Sequence, residues 1–319
     1  MIFANYSMFM FDYLSKKLSV FIHPYSTWIK IINASLRESE ERIAFDQRRV
    51  LLTDSILHST EMGVAGNNLF EEEVIVSLTT YGKRLYDVHL AIESIMQGTV
   101  LPNRIVLWIS EEFKNKSLPL YLQLQMKRGL EVMFCKDIRS YTKLIPSLKQ
   151  YPNSVIITID DDIIYPSDVV ENLLRTHRLC PGAICANRVI PIPKMDEASY
   201  LPLLKWKDKC SPDNPPRLLF FEGFGGVLYP PKSLHEEVLD ESIFLDICRT
   251  ADDVWFNAMA IKKGTAVVYA NPHINEVRCL VNAAVQDCAL KNLNSLGEVL
   301  NDKQIKKVFS RYSIWENLK

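Results

Sequence analysis

Two clusters of neighbouring aspartates are the residues whose type and spacing promise chemistry. Asp160, Asp161 and Asp162 follow the run Val155-Ile156-Ile157-Thr158-Ile159, and Asp252 and Asp253 precede Val254-Trp255-Phe256. Side-by-side carboxylates repel one another, so a cluster of them is costly unless something positive occupies it. A hard divalent cation suits the first cluster, because Mg2+, Mn2+ and Ca2+ prefer carboxylate oxygen. The plain alternative there is a solvated turn. The second cluster opens an apolar run and can equally serve a helix N-terminus, where acids are stabilised by the dipole.

The elements that must position these groups are legible upstream. Five β-branched residues in a row, Val155 to Ile159, suit a strand buried on both faces of a parallel sheet. Val74–Leu78, Ile105–Ile109 and Leu130–Cys135 read as three earlier strands. Between them, Leu85, Val88, Ile92 and Ile95 recur at helical spacing over 84–97. A helix in "LPLYLQLQMKRG" stops at Gly129 with Lys127 and Arg128 in its last turn, and 143–150 reads as a short helix. Strand and helix alternating in this way imply right-handed crossovers and a mainly parallel α/β sheet, with ligands bound outside the carboxyl ends of its strands. Asp160–Asp162 and the Thr79–Arg84 loop both fall at that edge. Ser167 is placed to cap a helix over 168–179. Beyond it the alternation gives way to a mixed sheet with long loops, and "EGFGGVLYPP" carries Gly223, Gly225 and Gly226. Those glycines allow close backbone approach to a ligand or positive φ, or simply make a tight bulge.

Composition removes several classes. The 319 residues are 48% hydrophobic and 24% charged, with net charge −1, as in an ordinary globular protein. No basic tract with interleaved aromatics points to nucleic acid. The seven cysteines (Cys135, Cys180, Cys185, Cys210, Cys248, Cys279, Cys288) include no C-x-x-C pair, which supports neither a zinc site nor a disulfide framework. Reduced thiols in a cytoplasmic setting are the simplest account. The first 32 residues are rich in apolar and aromatic side chains, but Asp12, Lys16, Lys17 and His23 interrupt them before the roughly 20 apolar residues of a membrane-spanning helix are reached. They read as an amphipathic helix packed on the main domain, or as one lying on the inner face of a membrane. In that second reading Phe9, Phe11, Leu14, Leu18 and Trp28 point inward and Lys16, Lys17 and Lys30 lie near lipid phosphates. A charged helix follows over 33–58, capped by Asn33 or Ser35, and 59–68 reads as a linker. The domain expectation is therefore a helical extension and linker over 1–70, a catalytic domain over 71–275 and a helical tail over 276–319.

The ordered set "VSLTTYGKR", "YTKLIPSLKQYP", "ITIDDDIIYP", "GFGGVLYPP" and "ADDVWF" resembles nucleotide-diphospho-sugar glycosyltransferases of the GT-A fold, and more narrowly those of bacterial surface-polysaccharide biosynthesis. The likeness runs over roughly residues 71–275. It implies a Rossmann-like, mostly parallel sheet flanked by helices, and a nucleotide-diphosphate sugar as donor, UDP-sugar first. It implies Mn2+ or Mg2+ held by Asp160 and Asp162, with Asp160 also able to meet the ribose and Asp161 beside the cofactor. The metal in that family stabilises charge on the departing diphosphate. The resemblance further implies that Thr79, Tyr81 and Arg84 border the nucleoside, with Tyr81 stacking on the base and Arg84 on phosphate; Arg84 can also simply begin a surface helix. Lys143 matches a lysine before the metal strand that meets the nucleotide, unless it is a solvated helix lysine. Gly225 and Gly226 would border donor sugar and acceptor. Asp253 would be the general base of an inverting transfer, with Asp252 holding an acceptor hydroxyl. His273, at a strand end, is either a further metal ligand or structural. The acceptor implied is a glycan or a lipid-linked sugar.

Two rivals differ in class. A metal-dependent phosphohydrolase or phosphotransferase also sets aspartates at a strand end, but haloacid-dehalogenase-like enzymes follow theirs with Thr or Gly on the first strand, whereas Ile163 and Ile164 follow here on the fourth. A non-catalytic sugar-nucleotide-binding module has no need of a base such as "ADDVWF" offers.

Overall fold

The computed structural model describes residues 2–67, 71–206, 218–270, 279–288 and 300–318, with side chains from Trp28 onward except those of 287 and 288. His273 lies outside the described residues. The chain divides into two compact units, Met1–Arg48 and Arg49–Lys319. Helix α1 runs unbroken over Ile2–His58, so the first unit holds its greater part and the second its last turns. Asn33 and Ser35 therefore start nothing. Ser39 instead turns its hydroxyl back to the Ser35 carbonyl at 2.9 Å, so short polar residues are accommodated inside the helix by bonding its backbone. Trp28, Ile29, Ile32, Leu36 and Ile43 are exposed on it. No described helix is long and apolar enough to cross a membrane.

The second unit is built on a seven-stranded sheet ordered β10-β6-β9-β4-β1-β2-β3. Its strands are β1 (Val74–Thr79), β2 (Arg104–Ser110), β3 (Leu130–Cys135), β4 (Val155–Thr158), β6 (Ile184–Ala186), β9 (Val227–Tyr229) and β10 (Val267–Tyr269). β3, β2, β1 and β4 run parallel, as do β6 and β10. β9 enters antiparallel between β4 and β6. The first half is thus the parallel crossover array its alternation implies, and the second half is mixed. Period-two alternation sends Ile75, Val106 and Ile156 to one core and Val76, Ile105 and Ile157 to the other, so β1, β2 and β4 are buried on both faces. Each fully buried Val or Ile contributes about 1.5–3 kcal/mol, which fixes the register of the strands that carry the aspartates.

Helices cover both faces. α2 (His89–Met96), α3 (Leu120–Met126) and α5 (Val169–Leu179) pack on one core; α4 (Ile145–Gln150), α6 (Glu241–Ile247), α7 (Asp252–Lys263) and α8 (Leu300–Arg311) pack on the other. The helix expected over 84–97 is a 3-10 turn over Gly82–Tyr86 followed by α2. Leu85, Val88, Ile92 and Ile95 are nonetheless all buried: the apolar spacing set the packed face, not the hydrogen-bonding pattern. The helix after Ser167 starts at Val169 with Asp168 at its N-cap position and no side-chain cap. Residues 59–67 break periodicity, but Gly63 N donates to Arg128 O and Ala65 N to Pro102 O, both at 2.8 Å. Two smaller ladders complete the unit: β5 (Ile163–Ile164) with β11 (Leu280–Val281), and β7 (Val189–Ile192) with β8 (Leu218–Phe221), each antiparallel.

Candidate active site

The carboxyl ends of β1, β4 and β6 and the start of β9 share one edge of the sheet, a consequence of their directions. Four segments that sequence reading had singled out therefore meet there: the loop after β1, the aspartates after β4, the glycines before β9, and the first turn of α7.

The aspartates are not a freely solvated turn, although Asp160 and Asp162 remain half-buried. Asp161 is buried; Arg84 donates to its Oδ1 at 2.8 Å and Thr80 to its Oδ2 at 2.6 Å. Burial pushes the Asp161 carboxyl up to about 6, against the pull of Arg84 and Thr80. Arg84 also reaches Asp162 at 3.2 Å and the Val285 carbonyl at 3.4 Å. Gln286 donates to Asp162 Oδ2 at 2.7 Å, and Asn282 N to the Asp162 carbonyl at 2.8 Å. Pairing of β11 with β5 brings that segment over the aspartate turn. Asp160 faces the other way, where Lys143 donates to its Oδ1 at 2.9 Å.

Lys143 is the hub of the second group. Ser77, buried on β1, donates to the Lys143 carbonyl at 2.6 Å, which holds the lysine's main chain against the sheet. Its ammonium, 8% exposed, lies 3.1 Å from Asp252 Oδ2. That oxygen is buried without a hydrogen bond, so the contact is one of charge rather than of an aligned donor. Burial pulls Lys143 down, but Asp160, Asp252 and Asp253 outweigh it and hold the ammonium well above its ordinary value. Lys143 is thus neither a solvated helix lysine nor an open one.

Asp253 stands where α7 meets the glycine loop. Asn257, one turn on, bonds both N and O of Phe221 at 3.0 and 2.9 Å, fixing α7 against β8. Gly223 N then donates to Asp253 Oδ2 at 3.0 Å, while Oδ1 is buried with no partner among the described residues. A Cβ on Gly223 would lie 2.7 Å from that Oδ1 and 2.9 Å from Lys143 Nζ, so any larger residue would push the carboxylate or the ammonium aside. Gly226, at φ +88°, turns the chain into β9. Asp252 and Asp253 occupy the first turn of α7, where the helix dipole stabilises acids, although the N-cap residue is Ala251 and no side chain caps the helix. Burial first and Asp252 second push the Asp253 carboxyl up to about 7, against the pull of Lys143.

Of the remaining residues, Thr79 gives its hydroxyl to the Trp108 carbonyl at 2.9 Å, and the neighbouring Thr80 takes the bond to the aspartates. Tyr81 is 65% exposed beside them. Gly225 packs on Arg188. Sequence reading missed Thr80, Tyr165 and Gln286. Tyr165 stands in the quoted "DDDIIYP" and was readable as a near neighbour, whereas Gln286 meets Asp162 across 124 positions with no local signal.

The occupant expected from charge repulsion is partly supplied by the chain itself, through Arg84 and Lys143. Five carboxylates (Asp160, Asp161, Asp162, Asp252, Asp253) still face these two cations. No three ligating side chains close together enough for a complete metal site occur among the described residues. The donor set fits a hard cation in kind, since Mg2+ is commonly held by one or two carboxylates with substrate phosphate and water completing the shell.

No protein-family profile matches the sequence, and no curated protein does. Solved structures share limited likeness. A mannosyltransferase from Pyrobaculum calidifontis, in complex with GDP-Man and Mn2+, is 12% identical over 70% of this chain and 62% of its own, with a TM-score of 0.40. CMP:2-keto-3-deoxy-manno-octonic acid synthetase with CTP is 12% identical over 61% of this chain and 88% of its own, at 0.39. Glucosyl-3-phosphoglycerate synthase from Mycobacterium tuberculosis, with Mn2+, UDP and phosphoglyceric acid, is 13% identical over 40% of this chain and 51% of its own, at 0.29. The chain thus spans under two thirds of the mannosyltransferase's length.

Proposed function

We propose that this protein is a glycosyltransferase moving a sugar from a nucleotide-diphosphate donor, a UDP-sugar first, to a hydroxyl of a glycan or lipid-linked acceptor. The observation that carries the reading is Asp253: a carboxylate with a raised affinity for protons, one oxygen tied to the Gly223 amide and the other without a partner. It sits at the same sheet edge as the aspartates after β4. A base is most effective when its pKa lies near the working pH.

In this reading Asp253 takes the proton of the acceptor hydroxyl as that oxygen bonds to the anomeric carbon. The bond from that carbon to the donor's phosphate oxygen breaks on the opposite side, and a nucleoside diphosphate leaves with inverted stereochemistry at the sugar. Asp252 orients the acceptor. Lys143 ties Asp160 to Asp252 and so keeps donor and acceptor groups in one frame. Asp160 and Asp162, with His273 as a third candidate, would hold Mn2+ or Mg2+, which supplies positive charge to the departing diphosphate. Arg84 and Thr80 hold Asp161 so that the turn presents its two neighbours. Tyr81 is free to stack on the nucleobase, with Thr79 beneath it, and Gly225 and Gly226 border the sugar. The catalytic region is 71–275, within Arg49–Lys319.

The test is release of nucleoside diphosphate from a panel of nucleotide sugars with and without Mn2+ or Mg2+. Metal-dependent release, abolished by Asp162→Ala with the melting curve retained, is the expected outcome. Undiminished release in chelator, or by the Asp162→Ala protein, sinks the reading as stated.

The exposed Trp28, Ile29, Ile32 and Leu36, with Lys30 beside them, favour a membrane-surface role for the first helix. The full chain should then pellet with anionic liposomes and be partly released by salt. Equal pelleting of a form starting near Glu71 would remove the helix from that role.

A further inference from the structure

Lys143 and Arg84 are engaged on both sides by carboxylates and a carbonyl, yet another guanidinium at the same edge has four of its five N–H donors open among the described residues. Arg188 follows β6. Its Nε donates to Glu222 Oε2 at 2.6 Å, and its Cζ lies 4.6 Å from the centroid of the Phe224 ring. The side chain is 48% exposed, and Nη1 and Nη2 make no hydrogen bond among the described residues. An exposed Arg–Glu pair is ordinarily worth little, about 0–1 kcal/mol. This one differs in how firmly it is oriented.

The main chain of Arg188 is locked to the glycine loop. Glu222 N donates to the Arg188 carbonyl at 3.1 Å and Asn187 N to Gly226 O at 3.2 Å. A Cβ on Gly225 would lie 3.0 Å from Arg188 Cβ and 3.2 Å from its N. The loop is in turn tied to the aspartates. Tyr165 donates its hydroxyl to the Phe224 carbonyl at 3.0 Å and accepts from Asp160 N at 2.9 Å. Phe224 below and Glu222 at Nε leave one edge of the guanidinium, the pair of Nη groups, in the two-pronged geometry that matches a carboxylate or phosphate.

Its place in the sheet says which part of a substrate it meets. β9 separates β6 from β4, so the strands that lead to Arg188 and to the aspartates stand two ladder spacings, about 10 Å, apart at the backbone, with room for a group beyond the one held at the aspartates. We propose that Arg188 is a specificity-determining residue that receives an anionic group, carboxylate or phosphate, carried by the sugar or the acceptor beyond the donor's diphosphate. This rests on the glycosyltransferase reading for the direction in which the substrate lies, and on the Arg188 geometry for the charge it must carry.

The experiment titrates the full chain with glucuronate, glucose 1-phosphate, glucose and inorganic pyrophosphate, by saturation-transfer NMR and calorimetry. The wild type should bind at least one anionic sugar about tenfold or more better than glucose, as expected for hydrogen bonds to a charged group. Which of the two it prefers tells carboxylate from phosphate. Arg188→Ala should erase that preference, Arg188→Lys should keep only part of it, and pyrophosphate affinity should be the same in all three. Glu222→Gln, which keeps the cation but frees Nε, should weaken the preference without abolishing it. No preference in the wild type, or full preference in Arg188→Ala or Arg188→Lys, overturns the proposal. Loss of pyrophosphate binding in Arg188→Ala also overturns it, by assigning the fork to the diphosphate. Failure of nucleotide-sugar turnover with the anion preference intact would instead count against the transferase reading alone.

Discussion

Glu93 and Arg128 are 0% and 6% exposed, and Lys143 is 8% exposed between Asp160 and Asp252. Both places bury charge, and they do so differently. Arg128 Nη1 donates to both Glu93 oxygens at 2.9 Å, its Nε donates to Glu61 O at 2.7 Å, and Ser55, Gln97 and Gln125 complete the shell of Glu93. One cation meets one anion, and of the neighbouring polar atoms only Gln125 Oε1 lacks a partner among the described residues. Around Lys143 one ammonium serves three carboxylates, and buried oxygens of Asp252 and Asp253 lack hydrogen bonds. A balanced, bonded cluster joins α2, α3 and the end of α1 and leaves no unbalanced charge for a ligand. An unbalanced one keeps charge and lone pairs for something that arrives.

The largest effect should come from the unbalanced side. Asp253→Asn keeps shape and one acceptor but removes the base, so transfer should fall by about 10²–10⁴-fold while donor affinity, measured by calorimetry with metal present, changes little. The melting temperature should hold or rise, since a repelling charge is gone. If Asp252→Asn fails instead and Asp253→Asn turns over normally, the base moves by one residue. If both turn over, the distinction between the two clusters loses its functional meaning.

On the balanced side the expectation reverses. Glu93→Ala strands a buried guanidinium, which costs about 3–5 kcal/mol, read from urea denaturation. Turnover per folded molecule should be unchanged. A loss of turnover larger than the folded fraction explains would mean that this cluster, too, serves the site.

Gly223→Ala should act on both properties more modestly. The added methyl must displace Asp253 or Lys143, and overpacking of this kind typically costs about 1–3 kcal/mol. Activity should fall with stability, and the pH profile should shift because the amide bond to Asp253 is disturbed. Wild-type behaviour would show that the glycine loop approaches Asp253 less closely than 3.0 Å implies.

How much of this was legible depended on the range of the interaction. The strands β1 to β4 follow from apolar runs such as Val155–Ile159, and the sheet edge follows from their parallel order, so Asp160–Asp162 and Arg84 could be brought together on paper, while the glycines and Asp253 joined them only through the family resemblance. What each side chain bonds could not be read. Lys143 is buried because Ser77 holds its carbonyl and α7 closes over it, an outcome of packing between distant segments. Thr80 rather than Thr79 meets Asp161, because successive residues point to opposite faces and the twist at the strand end decides which is useful. Gln286 and Arg188 lie in stretches with no periodicity to mark them. Charge repulsion correctly required a positive partner for the aspartates, but it could not distinguish a metal from Arg84 and Lys143.

The smallest effect, and the most direct measure of the imbalance, is the dependence of stability on pH without divalent metal. Burial and Asp252 raise the folded-state Asp253 pKa from the ordinary 3.8 to about 7. Between those values the folded chain keeps a proton that the unfolded chain has released. The folded state then binds more protons, so unfolding free energy decreases as pH rises. The stabilisation is full below the ordinary value and is lost as pH passes through the folded one. Wild-type melting temperature should therefore fall by several degrees from pH 5 to pH 7.5, at about 4 °C or less per kcal/mol for a chain of this size. Asp253→Asn should remove much of that slope, while Glu93→Ala should lower the whole curve without changing it. Transfer activity should move the opposite way over the same range, because the base must be unprotonated to act. Parallel slopes in the wild type and Asp253→Asn would show that the carboxylate titrates near its ordinary value, and that the negative charge at this edge is balanced by a route other than protonation.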